Sequence, residues 1–386
     1  MTGGSHLVLL GAGHAHLRIL HALRTLTSSG VSVTVVDQRE HLYYSGMMPA
    51  VLGGRVAPKA AKIPVRKLTE TLGGHFVHAM VEGFDAPAGK VYLSNGEIVG
   101  ADVFSLAMGS RVDPPIPVDP DANVKAAKPV ADLEALPSVI NALQSSLNAR
   151  VPKVSFVGGG PSAVELAGNL VSALGSQVEA TVVARGTRLL SRMPERAGII
   201  AEESLVRRGV VVHRGRAAVA VRSGKVELSD GASITSDLVV LTTGLSAPAI
   251  IGDSGLDVDP SGAMRVGSDL RVPSLPVFGG GDCIAIEAMP LERIGVHAVR
   301  QSEVLLENLQ AELGIGKAKK RLHYKPPKHP LLIINLGDGS GIIVRGQEVR
   351  RGKMWMLLKE RIDWNFVRSK GASILPSFFS PPRPPG

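Results

Sequence analysis

Short runs of consecutive apolar residues, each ended by glycine or by a polar residue, are the clearest pattern at the start of the chain. Leu7–Leu10 is the first run and predicts a buried strand. Gly11–Gly13 supplies a glycine-rich turn, and leucines then recur at helical spacing over 17–23. Ser32–Val36 predicts the next strand, with Asp37 at its end. This order is typical of a dinucleotide-binding unit.

A second unit with the same order begins in the middle of the chain. The apolar run Val154–Val157 precedes Gly158–Gly160, a helical pattern follows, and Ala180–Val183 predicts the next strand. The surroundings repeat too, because the segment 89–109 returns at 224–244 with a constant offset of 135 residues. A chain with two such units is predicted to hold two dinucleotides and to pass electrons between them.

Each unit also contains short alternating strands with a tight turn. Asn-Gly at 95–96 and Asp-Gly at 230–231 are hairpin signals, and each leads into a further buried strand. A third apolar strand ends in Gly-Asp at 281–282, and a helix opens after it. The pattern predicts an α/β fold with two Rossmann-like domains that carry antiparallel meanders, plus a small C-terminal α+β region.

Length and composition fit a globular protein with substantial cores. The chain has 386 residues, of which 44% are hydrophobic. No apolar run approaches the length that spans a bilayer, and the first run leads directly into the glycine turn rather than forming a signal peptide. We therefore expect a cytoplasmic protein, or one attached to a membrane from that side.

The formal net charge is +9, and basic residues concentrate late in the chain. A solvated surface, an anionic membrane surface and nucleic acid compete as explanations. Aromatic residues make up only 4% of the chain, so no nucleic-acid partner is predicted. Trp355, Leu358, Ile362 and Phe366 fall on one helical face, which predicts a membrane-interface helix, a dimer contact or a helix docked on the protein's own core.

Cys283 is the only cysteine in the sequence. An intramolecular disulfide, a CxxC redox pair and a thiolate metal cluster are therefore excluded. His14 and His16 stand two residues apart and point to different faces of a helix. No metal site is predicted.

These motifs resemble those of the pyridine nucleotide–disulfide oxidoreductase superfamily, flavoproteins with two dinucleotide-binding domains, over about residues 6–310. Residues 157–168 resemble its nicotinamide-nucleotide motif, and Asp282 resembles the acid that binds the ribityl chain of the flavin. Within the superfamily, the chain is similar to type II NADH dehydrogenases and, more narrowly, to the flavoprotein domain fused to selenide, water dikinase. The narrower likeness is carried by the segments 11–17, 45–49, 295–301 and 358–363.

The resemblance implies a division of the chain into three parts. A discontinuous FAD-binding domain is predicted over 1–115 and 245–322, with an NAD(P)H-binding domain over 116–244. Residues 323–386 are predicted to form a C-terminal cap, a membrane or dimer-contact region that ends in a disordered tail over 378–386.

The first unit is predicted to bind FAD. Gly11 and Gly13 let the backbone approach the pyrophosphate at a helix N-terminus, and Asp37 hydrogen-bonds the adenosine ribose. By resemblance, Asp282 holds the ribityl hydroxyls and Val296 begins the helix beside the flavin ring. The predicted FAD-contacting set is completed by His14, Ala15, His16, Gln38, Met48, Pro49, Ala107, Gly109 and Gly281.

The second unit is predicted to bind NADPH or NADH. The offset that places Asp37 after the first loop lands on Ala184, so the ribose-binding acid is absent, and Arg185 follows, with Arg188 further on. An acid repels a 2′-phosphate whereas arginine pairs with it, so the pattern favours NADPH. NADH, and a weak or decayed site, stay open. The remaining predicted contacts are Gly158, Gly160, Pro161, Ser162 and Gly244.

Glu165 and His297 are the predicted catalytic residues. The resemblance places Glu165 at the junction of flavin and nicotinamide, where it orients the amide or relays a proton; a plain surface glutamate is the alternative. His297 begins a helix whose N–H groups and dipole stabilise the reduced, anionic flavin.

The predicted activity is hydride transfer from NAD(P)H to FAD and then electron transfer to a quinone-like acceptor, without a redox-active disulfide. Val296 and Arg300 stand where type II dehydrogenases carry glutamines, which leaves the acceptor open. One alternative is a soluble flavin reductase for another acceptor, linked to selenium metabolism. Another is a flavin-binding regulatory protein with a decayed nicotinamide site. A homodimer and a peripheral membrane association also stay open.

Overall fold

The computed structural model describes residues 4–113, 116–147, 150–287, 289–315 and 320–369. The first sheet consists of five parallel strands. Their order across the sheet is Val277–Gly279, Val103–Leu106, His6–Leu10, Ser32–Asp37 and His75–His78. Residues 7–10 of the central strand are fully buried, as expected for a strand paired on both edges in a covered sheet. The strands predicted from the apolar runs of the first unit are confirmed.

The second sheet has the same construction. Its parallel strands follow the order Val124–Ala126, Leu238–Leu241, Lys153–Val157, Glu179–Ala184 and Val211–Arg214. Val103–Leu106 and Leu238–Leu241, which the sequence repeat relates, each pair with the first strand of their own sheet. The prediction of two Rossmann-like units is confirmed.

The helical segment after the first loop is not the single helix that its leucine spacing predicts. A 3₁₀ turn at His14–His16 precedes two short helices, Leu17–His21 and Leu23–Ser28. The two helices meet at Ala22, where φ is −87° and ψ is 0°. The leucines of the predicted face are nevertheless buried. After the second loop, the helix Pro161–Leu174 is continuous.

Each unit carries an antiparallel meander, as predicted. The strands of the first are Val81–Asp85, Lys90–Leu93 and Ile98–Gly100, and those of the second are Ala218–Arg222, Lys225–Leu228 and Ser233–Thr235. Three two-stranded ladders connect loops: Leu42–Tyr43 with Lys62–Ile63, Arg111–Val112 with Leu245–Ser246, and Met264–Val266 with Ile284–Ile286.

The remaining α-helices lie on the faces and edges of the sheets. They are Met48–Leu52, Val65–Thr71, Leu136–Ser146, Glu195–Val206, Ala249–Gly252 and Gly295–Glu312. Further 3₁₀ turns are Ser45–Met47, Pro58–Ala61, Val130–Ala135, Gly175–Gln177 and Gly281–Cys283.

The C-terminal region is a small α+β unit, as predicted. Its antiparallel strands are Leu332–Asn335, Gly341–Arg345 and Glu348–Gly352, followed by the C-terminal helix Lys353–Val367. This unit packs closely on the helix Pro161–Leu174. A Cβ atom at Gly168 would lie 2.4 Å from the carbonyl oxygen of Leu336, so only glycine permits this contact.

The face that the C-terminal helix buries differs from the predicted one. Its buried positions are Met356, Lys359, Asp363 and Val367, whereas Ile362 is 43% exposed. The ion pair of Lys359 and Asp363 faces inward because Gly46 and Tyr44 of the first unit bind it. The spacing of apolar residues does not reveal such partners. The predicted tail 378–386 lies outside the described residues. Within the described part of the chain, no helix has the length and apolar character needed to cross a membrane.

Candidate functional site

A cavity of about 550 Å³ opens beside the carboxyl ends of the strands of the first sheet. Its walls come from the loop after His6–Leu10, the end of Ser32–Asp37, the segment 107–111, the segment 128–131 and the loop that contains Asp282. Cavities of this size and position hold small ligands and cofactors in α/β proteins.

Most of the residues predicted to contact FAD are brought together in this cavity. Those that line it are Gly11, Gly13, His14, Ala15, Asp37, Gln38, Ala107, Gly109, Gly281 and Asp282. Four others are not part of the lining. Met48 and Pro49 are buried in a short helix, His16 lies beneath the loop, and Val296 is half-buried next to the lining residue Gly295.

The first glycine loop approaches the backbone of its neighbouring strand too closely for side chains. A Cβ atom at Gly13 would lie 2.3 Å from the carbonyl oxygen of Ala107, and one at Gly11 would lie 2.7 Å from it. Gly11 also has a φ of +81°. The two glycines leave an open cradle at the start of the helical segment, where N–H groups attract a phosphate.

Asp37 orders this loop from the end of the adjacent strand. One carboxylate oxygen accepts a hydrogen bond from the N–H of Ala12 (2.7 Å), and the other accepts one from the N–H of Arg39 (2.9 Å). Burial raises the pKa of Asp37, and these two bonds oppose the shift. Each oxygen has a second lone pair for a hydroxyl donor from a ligand.

His16 stands where the third glycine of the fingerprint is expected, and the structure gives it a structural role. Its completely buried ring joins the carbonyl oxygen of Gly11 (2.6 Å) to the hydroxyl of Ser105 (2.9 Å). Burial lowers the pKa of His16 to about 4, so the ring is neutral at pH 7.

We expect His16→Ala to lower the free energy of unfolding by about 2–4 kcal/mol, because it leaves a cavity and removes both bonds. Ser105→Ala removes only one bond and is expected to cost about 1 kcal/mol. Chemical denaturation at pH 7 measures both changes. Equal losses in the two variants would contradict the bridging role of the ring.

His14 faces the cavity with an unsatisfied nitrogen. Its Nε2 atom is buried and has no hydrogen-bond partner within the described residues. The ring lies against Phe366 of the C-terminal helix (centroids 5.9 Å apart) and Tyr44 (5.7 Å). Burial lowers the pKa of His14 to about 4. A buried ring nitrogen without a partner, at a cavity wall, points to a ligand that supplies one.

Asp282 also lines the cavity and has two donors beside one of its oxygens. Its Oδ2 atom accepts a hydrogen bond from the hydroxyl of Ser110 (2.8 Å) and forms a short ion pair with Lys128. Burial is the largest single effect and raises the pKa of Asp282, but Lys128, the Ser110 hydroxyl and Arg293 together outweigh it, so the pKa lies below its usual value. Sequence reasoning missed Lys128 and Ser110, because no motif marks either residue.

The second loop repeats the backbone plan of the first. The N–H of Gly158 donates a hydrogen bond to the carbonyl oxygen of Val183 (2.8 Å). The N–H of Gly11 donates in the same way to the carbonyl oxygen of Val36 (2.8 Å). Gly160, Pro161 and Ser162 follow at the start of the continuous helix, where Pro161 and Ser162 are exposed. Gly244 lies in the crossover after the strand Leu238–Leu241.

The ribose end of this second site differs from the first. Ala184 is buried at the position that corresponds to Asp37, and Arg185 is exposed beside it. Arg188 is engaged elsewhere: its guanidinium donates to the carbonyl oxygens of residues 190, 191 and 193 at 2.8–3.1 Å. Arg188 therefore stabilises its own loop through these three hydrogen bonds.

Glu165 contacts the C-terminal region rather than the cavity lining. Its Oε1 atom accepts a hydrogen bond from the N–H of Asn335 (2.8 Å). Burial raises the pKa of Glu165 to about 7, while the nearby Lys359 opposes the shift. The Lys359 ammonium itself binds Asp363 (2.6 Å) and the carbonyl oxygen of Gly46 (2.8 Å). Glu165 is thus half-buried where the two units and the C-terminal region meet.

His297 is not part of the cavity wall. Its ring is buried and its Nδ1 atom lies 2.8 Å from the hydroxyl of Tyr324. Burial lowers the pKa of His297. Gly295 and Ala298 of the same helix line the cavity instead.

Cys283 is buried beside Asp282, and burial raises the pKa of its thiol to about 11, as expected for an unreactive thiol.

Comparisons with known proteins agree with this geometry. Demethylphylloquinone reductase NdbB of Synechocystis is 25% identical over 286 residues, which cover 71% of this chain and 70% of that protein. The ferredoxin–NAD(+) reductase component of the anthranilate 1,2-dioxygenase system of Burkholderia cepacia is 27% identical, over 79% of this chain and 73% of its own. The structure of NDH2 from Plasmodium falciparum in complex with NADH superposes with a TM-score of 0.78 at 12% identity, covering 97% of this chain and 100% of that one.

The family profile described as pyridine nucleotide-disulphide oxidoreductase matches residues 5–302, which include both sheets and both glycine loops. Members of this family use FAD and NAD(P)H. The chain therefore belongs to the pyridine nucleotide-disulphide oxidoreductase family, and its single cysteine sets it apart from members that use a disulfide.

Proposed function

We propose that the protein is an FAD-dependent NAD(P)H dehydrogenase that reduces a quinone-like acceptor, similar in activity to type II NADH dehydrogenases. The observation that carries this proposal is the cavity at the carboxyl ends of the first sheet, which is lined by both the glycine cradle and the largely buried carboxylate of Asp282. NdbB, the relative named for demethylphylloquinone reduction, supports a quinone as the acceptor.

The residues present fit FAD. The cradle of Gly11 and Gly13 admits a pyrophosphate where a Cβ would clash, and His14 offers a buried nitrogen without a partner. In this proposal, Asp37 holds the adenosine ribose and Asp282 holds the ribityl hydroxyls. FAD held by these residues would supply the hydride-accepting and electron-releasing chemistry between the nicotinamide and the acceptor.

The chain's own residues bind and orient the reactants. We keep the predicted domain limits, with the FAD domain over 1–115 and 245–322, the NAD(P)H domain over 116–244 and a cap over 323–386. A pKa of about 7 for Glu165 supports a role in which its carboxyl holds or releases a proton near neutral pH. The start of the helix Gly295–Glu312 borders the cavity, where its N–H groups and dipole would stabilise developing negative charge.

Anaerobic titration of the purified protein with NADPH and NADH tests the proposal. We expect the purified protein to show the visible absorbance of bound flavin, and we expect a nicotinamide nucleotide to bleach that absorbance by reducing the flavin. A protein that contains flavin but is reduced by neither nucleotide would contradict dehydrogenase activity and favour the regulatory alternative.

Arg185 carries the preference for NADPH. We expect Arg185→Ala to raise the KM for NADPH about 10-fold, because a charge-assisted bond to the 2′-phosphate is lost. The KM for NADH is expected to stay within about two-fold. Arg192→Ala, an exposed arginine in the following loop, is the matched control and is expected to change neither value. Equal effects of Arg185→Ala on both nucleotides would contradict this role.

The acceptor is proposed to reach the protein from a membrane surface. Met354, Leu357 and Ile362 of the C-terminal helix are 63%, 66% and 43% exposed, and the basic residues Lys353 and Arg361 are exposed nearby. Apolar and basic side chains together favour an anionic bilayer interface. Faster turnover with a quinone dissolved in anionic vesicles than with the same quinone in neutral vesicles would support this.

A protein acceptor is the second candidate. It is favoured by the similarity to a ferredoxin–NAD(+) reductase component and by the net charge of +9, which suits an acidic partner. Steady-state assays with a ferredoxin and with a quinone, each as the only acceptor, distinguish the two candidates.

A further inference from the structure

We propose that Lys128 is a positioning residue of the flavin site, which orients Asp282 and fixes the segment 128–131 over the cavity. This inference rests on the proposal that the cavity binds FAD. Lys128 belongs to the second, nicotinamide unit, whereas its partners at the site belong to the first unit.

Lys128 reaches across the boundary between the two units. It follows the strand Val124–Ala126, which is an edge strand of the second sheet. Its ammonium nevertheless binds Asp282 and lies 3.1 Å from the hydroxyl of Ser110, and both partners belong to the first unit. The side chains of Lys128 and Asp282 are only 23% and 14% exposed. A charge pair so shielded from water is stronger than a surface pair.

The contacts at Asp282 leave one oxygen available. Ser110 and Lys128 both bind Oδ2, and no donor to Oδ1 is found among the described residues. With Oδ2 held by two donors, the carboxylate has a fixed orientation and Oδ1 is available to accept a hydroxyl hydrogen bond. The ammonium also keeps the carboxyl ionised, so that it accepts rather than donates.

The segment 128–131, called the strap below, runs along the cavity. Lys128, Pro129, Val130 and Ala131 all line it. Immediately beyond these four residues, side chains of the chain again contact the first unit.

The far end of the strap is tied to the first unit by two acidic residues. Asp132 lies 3.4 Å from Arg39, while Glu134 accepts a hydrogen bond from Tyr43 (2.6 Å) and pairs with Lys62 (2.7 Å). Lys128 is therefore the near anchor of a segment attached at both ends, and it is the anchor that contacts a proposed FAD ligand.

The test compares FAD retention in Lys128→Met, Lys128→Arg and Asp132→Asn with that of the wild-type holoprotein. Release of FAD on dilution is followed by the rise in flavin fluorescence. We expect Lys128→Met to weaken FAD binding about 10- to 100-fold, as loss of a shielded charge-assisted bond implies. Lys128→Arg keeps the cation and is expected to stay within about three-fold, and Asp132→Asn, at the exposed end, within about two-fold.

A double-variant cycle shows whether Lys128 acts through Asp282. We expect Lys128→Met to have little further effect in an Asp282→Asn background. Thermal unfolding of the apoproteins checks the fold, and Lys128→Gln replaces Lys128→Met if the latter unfolds. Equal FAD retention in Lys128→Met and the wild type overturns the inference. So does equal weakening by Asp132→Asn, which would show that any loosening of the strap suffices. A wild-type protein that binds no FAD overturns the proposed function instead.

Discussion

Gly13→Ala is expected to abolish FAD retention and to lower the free energy of unfolding by about 1–3 kcal/mol. The added Cβ would lie 2.3 Å from the carbonyl oxygen of Ala107, a backbone atom that cannot rotate away. The N–H of Gly13 is hydrogen-bonded to that same oxygen (3.2 Å), so the clash separates two groups that define the cradle. Flavin absorbance of the purified variant and its denaturation curve measure the two effects.

Gly160→Ala is the matched control, since Gly160 has the corresponding place in the second loop. A Cβ there meets nothing within 4 Å, and its φ of −85° suits any residue. We expect wild-type flavin content and stability in this variant. Full flavin content in Gly13→Ala would show that the loop can move away from Ala107 and would contradict the assigned role of the cradle.

Glu165→Gln is expected to stabilise the protein increasingly as the pH rises from about 4.5 to about 7. Below pH 4.5, the wild-type carboxyl is protonated in both the folded and the unfolded chain, so the two proteins should be equally stable. Between these values the folded chain retains a proton that the unfolded chain releases, and the stability of the wild type falls as the pH rises. Glutamine undergoes no such loss.

The stability difference above pH 7 is expected to reach at most about 3 kcal/mol, from the displacement of the Glu165 pKa to about 7. The half-buried position of the residue will make it smaller. His14 and His16 titrate in both proteins and cancel in the comparison. Glu97→Gln, in the exposed turn of the first meander, controls for the loss of one carboxylate. A stability difference independent of pH would contradict the assigned pKa.

Local patterns predicted the strands and the glycine loops because their causes are local. The run Leu7–Leu10 is apolar throughout, and a strand buried on both faces requires that. The glycines at 11 and 13 could also be recognised from the sequence, because a close backbone contact at these positions excludes every side chain. The segment 89–109 returns at 224–244 with a constant offset of 135 residues, and this repeat predicted that the two units share one fold.

Side chains whose partners lie far away in sequence were predicted poorly. The C-terminal helix was expected to bury its apolar face, but Lys359 and Asp363 turn inward because Gly46 and Tyr44 of the first unit receive them. His297 likewise turns to Tyr324.

The sequence by itself therefore determined the two Rossmann-like units, their glycine loops and the acid Asp37, because each depends on residue types at fixed short spacing. It also excluded a disulfide within the chain, because Cys283 is the only cysteine, while Asp282 was singled out by the likeness to the family. Only the tertiary structure decided that Lys128 meets Asp282, that Glu165 lies against Asn335 and that Phe366 packs beside His14. Those contacts join residues separated by 154, 170 and 352 positions. They form only when the two units and the C-terminal region pack together, and no local pattern records that packing.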